Sequence, residues 1–315
     1  MTRPLSLALV QAPTQPDNDL DAFAARLEHL ARFHANTRLF VYPEFHLAGT
    51  GEADPAEAEA RVQELAEPLD GPRGRTLAQL AGDLGIWLVP GSFYERGADG
   101  RIYNTTAAYS PQGKQVASYR KVFPWRPYET IAQGSGFVVF DIEGAGRVGL
   151  SICYDAWFPE VSRHLAWMGA ELILNVVQTP TADREQEMVL ARANAIVNQV
   201  FVASVNAAYP DGAGRSLLVD PQGRVRMSSD SSESRVLTDF VDLDEVTNVR
   251  TYGTGGVTRP WAQFDGIEEG IELPLYSGRI DPAAWRIPST PGAEDITATK
   301  AADTTANKVN EGSRS

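Results

Sequence analysis

Short apolar runs alternate with amphipathic helical stretches along most of this chain, and that alternation limits the fold more than any other feature. The run 5–10 reads as a buried strand. A helix follows from about Asp19, with Leu20, Phe23, Ala24, Leu27, Leu30 and Ala31 on one apolar face. The run 39–42 stops at Pro43-Glu44. The acidic, Ala-rich stretch 52–70 carries Asp54-Pro55, a plausible N-cap and first helical residue. Residues 76–84 then read as helix and 86–93 as strand. Strand candidates 103–110 and 115–121 flank the turn Pro111-Gln112-Gly113, and 137–142 and 147–152 flank a Gly-rich turn. Helices at 159–168 and 184–199 alternate with strands at 171–177 and 201–206, and short strands follow at 216–220, 224–228 and 235–241. Two groups of strands with helices between them predict an α/β fold of two sheets packed face to face, helices outside. Periodicity alone leaves a doubly wound single sheet open.

At 315 residues the chain is long enough for one large domain or two small ones. Its net charge of -13 opposes binding to nucleic acid or anionic lipid, so neither partner is expected. The single cysteine, Cys153, excludes an intrachain disulfide and a Cys-based zinc site, and the four His lack metal-ligand spacing. No glycine-rich phosphate loop is present. The apolar stretch at the N-terminus is too short to span a membrane and lacks a signal-peptide cleavage pattern, which predicts a cytoplasmic protein. From residue 287 onward large apolar side chains nearly vanish, so 288–315 is expected to be a disordered tail on a domain spanning 1–287.

Glu44, Lys121 and Cys153 each stand at the end of an expected strand, where a scaffold presents functional groups. A lone cysteine is more commonly an inert buried thiol. Cys153, however, follows the strand Gly149-Leu150-Ser151-Ile152 and opens a polar, aromatic turn into a helix. A nucleophile at such an elbow lies near free backbone N–H groups, which lower a thiol pKa and hold an oxyanion. The thiol needs a base. His164 and His46 have weak contexts, whereas Glu44 follows an apolar run that would raise its pKa. Taken singly, Glu44 and Lys121 read as surface or capping groups.

Together, Val41-Tyr42-Pro43-Glu44, Tyr119-Arg120-Lys121-Val122-Phe123-Pro124-Trp125 and Ser151-Ile152-Cys153-Tyr154-Asp155, running on to Phe158-Pro159-Glu160, resemble the nitrilase, or carbon–nitrogen hydrolase, superfamily. The resemblance covers about residues 4–245, more weakly to 287. It implies a four-layer α-β-β-α sandwich, a homo-oligomer (dimer or higher), and hydrolysis of a small-molecule amide without metal or cofactor. By the same resemblance Glu44 is the general base, Lys121 the cation that stabilises the intermediate, and Cys153 the nucleophile. Glu129 would help position substrate and relay protons, and Lys121 with the Tyr154 N–H would form the oxyanion hole. Lys121 to Trp125, Gln186 to Val189, Val205 to Ala208 and Gly214-Arg215-Ser216 look like the aliphatic amidase and formamidase branch, in which Phe45 and Trp125 would line a small acyl pocket. Two positions depart from that pattern. Val197 stands where many relatives have Glu, and Ala156-Trp157 replaces a smaller pair, so that Trp157 would narrow or redirect the pocket. The expected product pair is acid and ammonia, released through a thioester. Nitrilase, N-carbamoyl-amide hydrolase and a non-catalytic ligand-binding relative are the alternatives.

Overall fold

The computed structural model describes residues 2–15, 18–50 and 54–285, so the expected tail 288–315 lies outside the described residues. Thirteen strands build two sheets. The first contains β1 (Pro4–Gln11), β2 (Leu39–Val41), β3 (Trp87–Val89), β4 (Ser92–Arg96), β5 (Ile102–Tyr109) and β6 (Gln115–Arg120). The second contains β7 (Val139–Ile142), β8 (Gly146–Ile152), β9 (Leu172–Val177), β10 (Phe201–Asn206), β11 (Leu217–Val219) and β12 (Val225–Ser228). The thirteenth strand, β13 (Arg235–Asp242), returns to the first sheet and pairs antiparallel with β1 along its whole length, and a separate hairpin of β14 (Ile271–Leu273) and β15 (Gly278–Ile280) follows. β1, β2 and β3 run parallel at the centre of the first sheet, and β8, β9 and β10 at the centre of the second.

Alternation along β1 shows how the layers form. Leu5, Leu7 and Leu9 enter a core shared with Val148, Leu150, Leu174, Val176, Ala203 and Val205 of the second sheet. Ala8 and Val10 face the other way, onto α1 (Leu20–Phe33) and α3 (Pro72–Leu84) through Phe23, Leu27, Leu77 and Ala81. On the far side, Ile173, Val202 and Val219 meet α4 (Pro159–Trp167) and α5 (Arg184–Asn198) through Val161, Leu165, Ala191 and Ala195. Helix, sheet, sheet, helix is therefore the layer order, and the single-sheet alternative is excluded. Strands covered on both faces read as unbroken apolar runs because neither face is left for water.

Local chemistry sets the boundaries. Asp19 caps α1 by accepting from the Asp21 and Ala22 N–H groups. Asp54 does the same for α2 (Pro55–Leu65), as expected of Asp54-Pro55. The expected strand 86–93 is instead two, β3 and β4, broken at Pro90-Gly91. Gly91 has φ 91°, and a Cβ there would sit 1.8 Å from the Pro43 carbonyl oxygen, so the strand must turn where the chain leading to Glu44 crosses it. The helix expected at 76–84 begins earlier, at Pro72, whose ring suits a first turn. A further helix, α6 (Asp244–Tyr252), was not anticipated. Among the described residues no helix is long and apolar enough to cross a membrane.

Candidate active site

Glu44 follows β2 and Lys121 follows β6, both in the first sheet, while Cys153 follows β8 in the second. The two sheets thus bring together residues far apart in sequence at one end of the shared core. Cys153 has φ 46°, a left-handed conformation that L-residues rarely adopt, and opens a 3-10 turn, Cys153–Trp157, leading into α4. The first N–H groups of such a turn have no partner inside it, which leaves the Tyr154 amide available beside the sulfur.

Lys121 is almost fully buried, and its Nζ lies 3.1 Å from Glu44 Oε1 and 2.7 Å from Glu129 Oε2. Glu44 is held on every side. Its Oε1 also accepts from Asn104 Nδ2 at 2.8 Å, and its Oε2 accepts from the Gln178 backbone N–H at 3.0 Å. Glu129 sits on the loop after β6, and its Oε2 accepts from the Trp125 N–H at 2.5 Å. Asn104 Nδ2 reaches Glu129 Oε1 as well, at 3.3 Å, so one amide bridges both carboxylates.

Burial raises the Glu44 carboxyl above its ordinary value, while the Lys121 charge draws it down. The neighbouring Cys153 thiol also draws Glu44 down. Burial and the Glu44 charge push that thiol well up, so the sulfur rests as a neutral thiol. Burial works against the Lys121 charge, but Glu44, Cys153 and Glu129 outweigh it and keep the ammonium protonated. The arrangement is a neutral thiol under the charge of a buried carboxyl group, which itself lies one hydrogen bond from a fixed cation.

The aromatic candidates surround this centre. Phe45 is half-buried, has φ 53° and stacks on Tyr94 at 4.6 Å. The Tyr94 phenol is held above its ordinary value by burial, with Glu129 and Glu44 adding to it. Trp125 is 43% exposed, its ring 4.3 Å from Tyr128. Tyr154 and Trp157 lie with ring centroids 6.0 Å apart on the turn that carries Cys153. His46 points elsewhere. It packs on Tyr42 at 4.7 Å, and burial pushes it down to about 3, so it is neutral and not the base.

Several residues escaped the sequence reading. Asn104 lies in the wholly buried β5, where a polar side chain must find partners. Asp155 is fully buried and accepts from the Ile152 N–H (3.0 Å), the Phe123 N–H (2.9 Å) and the Tyr119 hydroxyl (2.8 Å). It therefore ties the Cys153 turn to the strand and loop that carry Lys121. Burial pushes its carboxyl up to about 6 despite Lys121 and these donors. The Asp155 position in the third sequence block was the available signal. Behind Cys153 a narrow cavity of about 20 Å³ is lined by Ser151, Asn175, Glu187 and Asn194, among others. Among the described residues no cluster of His, Cys, Asp and Glu could hold a metal ion.

Residues 6–251 match the family described as carbon-nitrogen hydrolase. The chain is 32% identical over 254 residues to the (R)-stereoselective amidase of a Pseudomonas species, spanning 78% of this chain and 88% of that protein. It is 32% identical over 204 residues to omega-amidase NIT2 of Homo sapiens, spanning 59% and 72%. The crystal structure of Saccharomyces cerevisiae Nit3, a member of branch 10 of the nitrilase superfamily, superposes with a TM-score of 0.69 at 25% identity, over 79% of this chain and 94% of that one.

Proposed function

Because this chain belongs to the carbon–nitrogen hydrolase family, we propose that it is a cysteine-dependent amidase that releases ammonia from small or medium amides. The observation that carries this reading is the hydrogen-bonded cluster of Glu44, Lys121 and Glu129, whose charges act on the Cys153 thiol. The amidase names of two relatives favour an amide substrate over a nitrile.

Glu44 takes the Cys153 proton as sulfur attacks the amide carbonyl carbon. The developing oxyanion is met by the Lys121 ammonium and the Tyr154 N–H. The proton held by Glu44 passes to the amide nitrogen, the C–N bond breaks, and ammonia leaves a thioester on Cys153. Water then gives a proton to Glu44 and attacks the thioester carbon, and acid departs as the proton returns to sulfur. Glu129, bound to Lys121 and to Asn104, keeps the cation aimed at the reacting carbon. Phe45, Trp125, Tyr154 and Trp157 crowd the entrance and favour a compact acyl group.

An ammonia-release screen over amides, their matching nitriles and N-carbamoyl compounds tests the assignment, together with intact mass during turnover. An acyl adduct on Cys153 and a kcat/KM preference for amides are expected. Preference for the nitrile or carbamoyl substrate would move the assignment to that class. Absence of any adduct or product across the screen would favour a non-catalytic binding protein.

A further inference from the structure

Cys153 also touches a second polar network. The Thr179 hydroxyl lies 3.8 Å from Sγ, within reach of a sulfur hydrogen bond, and donates to Glu187 Oε1 at 2.9 Å. Glu187 is held in turn by Arg184 Nη1 at 3.0 Å, and Arg184 is anchored on Ser204 Oγ at 2.9 Å. Thr179, Glu187 and Arg184 are all buried. The backbone of Thr179 is clamped by Asn206, whose Oδ1 accepts its N–H at 2.8 Å and whose Nδ2 donates to its carbonyl at 3.0 Å. The backbone that carries the hydroxyl is therefore held, and the hydroxyl hydrogen can turn about the Cβ–Oγ bond.

We propose that Thr179 is a positioning residue whose hydroxyl turns from Glu187 to the Cys153 sulfur when the thiol proton leaves. In the resting site Glu187 accepts the Thr179 hydrogen, and the Thr179 oxygen stands within reach of the neutral thiol. Once Glu44 has taken the proton, sulfur bears a charge and becomes the stronger acceptor. Glu187 can release the hydroxyl because its other oxygen stays paired with Arg184. When the thioester forms, the charge on sulfur is gone and the hydroxyl returns to Glu187. No bond to carbon is involved. The only proton transferred is the one that moves from Cys153 to Glu44, and Thr179 keeps its own. The stabilisation is therefore confined to the thiolate, the species whose formation burial and Glu44 oppose. The charged groups facing this sulfur are Glu44, Lys121 and Glu129, and Glu187 with Arg184.

The inference rests on Cys153 being the nucleophile, and the two can fail separately. The rate of Cys153 alkylation by iodoacetamide is followed against pH in the wild type and in Thr179→Val, Thr179→Ala and Thr179→Ser, beside kcat and KM for a substrate amide. Variants lacking the hydroxyl should titrate higher by about one unit and lose roughly tenfold or more in kcat, with KM little changed. Thr179→Ser should restore both. Grouping by side-chain volume rather than by hydroxyl, or wild-type profiles in Thr179→Val and Thr179→Ala, would overturn the role of Thr179. Full activity after complete alkylation would instead overturn Cys153 as nucleophile. If Thr179→Val does not fold, Thr179→Ala against Thr179→Ser carries the same comparison.

Discussion

Lys121→Met keeps most of the side-chain volume and removes the cation between Glu44 and Glu129. Both carboxylates accept from Nζ, at 3.1 and 2.7 Å, around an almost fully buried ammonium. Breaking a buried ion pair by removing one partner costs about 3–5 kcal/mol. For a domain of this size that corresponds to a fall in Tm on the order of 5–15 °C. Part of the damage is limited, because Asn104 Nδ2 and the Gln178 N–H still donate to Glu44. The remaining carboxylates, with no cation between them, favour the neutral form of Glu44. The sign of the pH dependence follows. Lys121 has a raised pKa in the folded protein, so its contribution is complete below its ordinary 10.5 and lost only as pH rises through the higher folded value. In Lys121→Met, Glu44 is raised further above its ordinary 4.5, so stability is greatest below 4.5 and falls as pH rises through the new folded value. Urea unfolding at about pH 5 and about pH 8 measures this, and the deficit against wild type should be larger at the higher pH. Activity should fall by roughly 10²-fold or more from loss of oxyanion stabilisation. A deficit equal at both pH values would refute the claim that the Lys121 charge draws the Glu44 carboxyl down.

Four further outcomes are expected. Cys153→Ala should abolish hydrolysis with the fold intact by circular dichroism, and residual turnover above background would remove the thiol from the mechanism. Glu44→Gln should cost on the order of 10²-fold in kcat/KM and erase the acidic limb of its pH profile, a limb that in wild type lies above the ordinary carboxylate value of 4.5. Asn104→Leu should lower kcat while leaving alkylation of Cys153 possible, because it frees both carboxylates from their shared donor; an unchanged kcat would argue against that bridge. Asp155, pushed up to about 6 from 3.8, should make wild type lose up to about 3 kcal/mol as pH rises through that window, and Asp155→Asn should remove this slope, which denaturant titrations would show.

Glu44, Lys121 and Cys153 were legible as a set, through three sequence blocks that each place one of them at a strand end, although Glu44 and Lys121 taken singly read as surface or capping groups. The turn from Ile152 into Pro159 carries its own signal in the same way. The residues that were not legible act across long sequence distances. Gln178 contributes only a backbone N–H, which has no side-chain signature. Asn104 looks like a weak point in a strand until the fold sets two carboxylates in front of it. Asp155 stood in view beside Cys153, but its task of joining the two sheets through Tyr119 and Phe123 exists only once the sheets are packed. The sandwich itself was ambiguous for a related reason. β1, β9 and β10 are buried on both faces, so their sequences carry no period to say whether sheet or helix covers each side. The break at Pro90-Gly91 was missed because the demand comes from Pro43, a remote segment that crosses there.

The left-handed backbone at Cys153 sets heat resistance against turnover. A glycine would accept φ 46° freely, whereas any residue with a Cβ is penalised by about 1–2 kcal/mol. Cys153→Ala keeps that penalty and Cys153→Gly lifts it, so of two equally dead proteins the glycine variant should melt later. Directed evolution of this chain under thermal challenge alone would thus reward loss of the sulfur on which the proposed mechanism turns, and a library selected that way must also be scored for turnover.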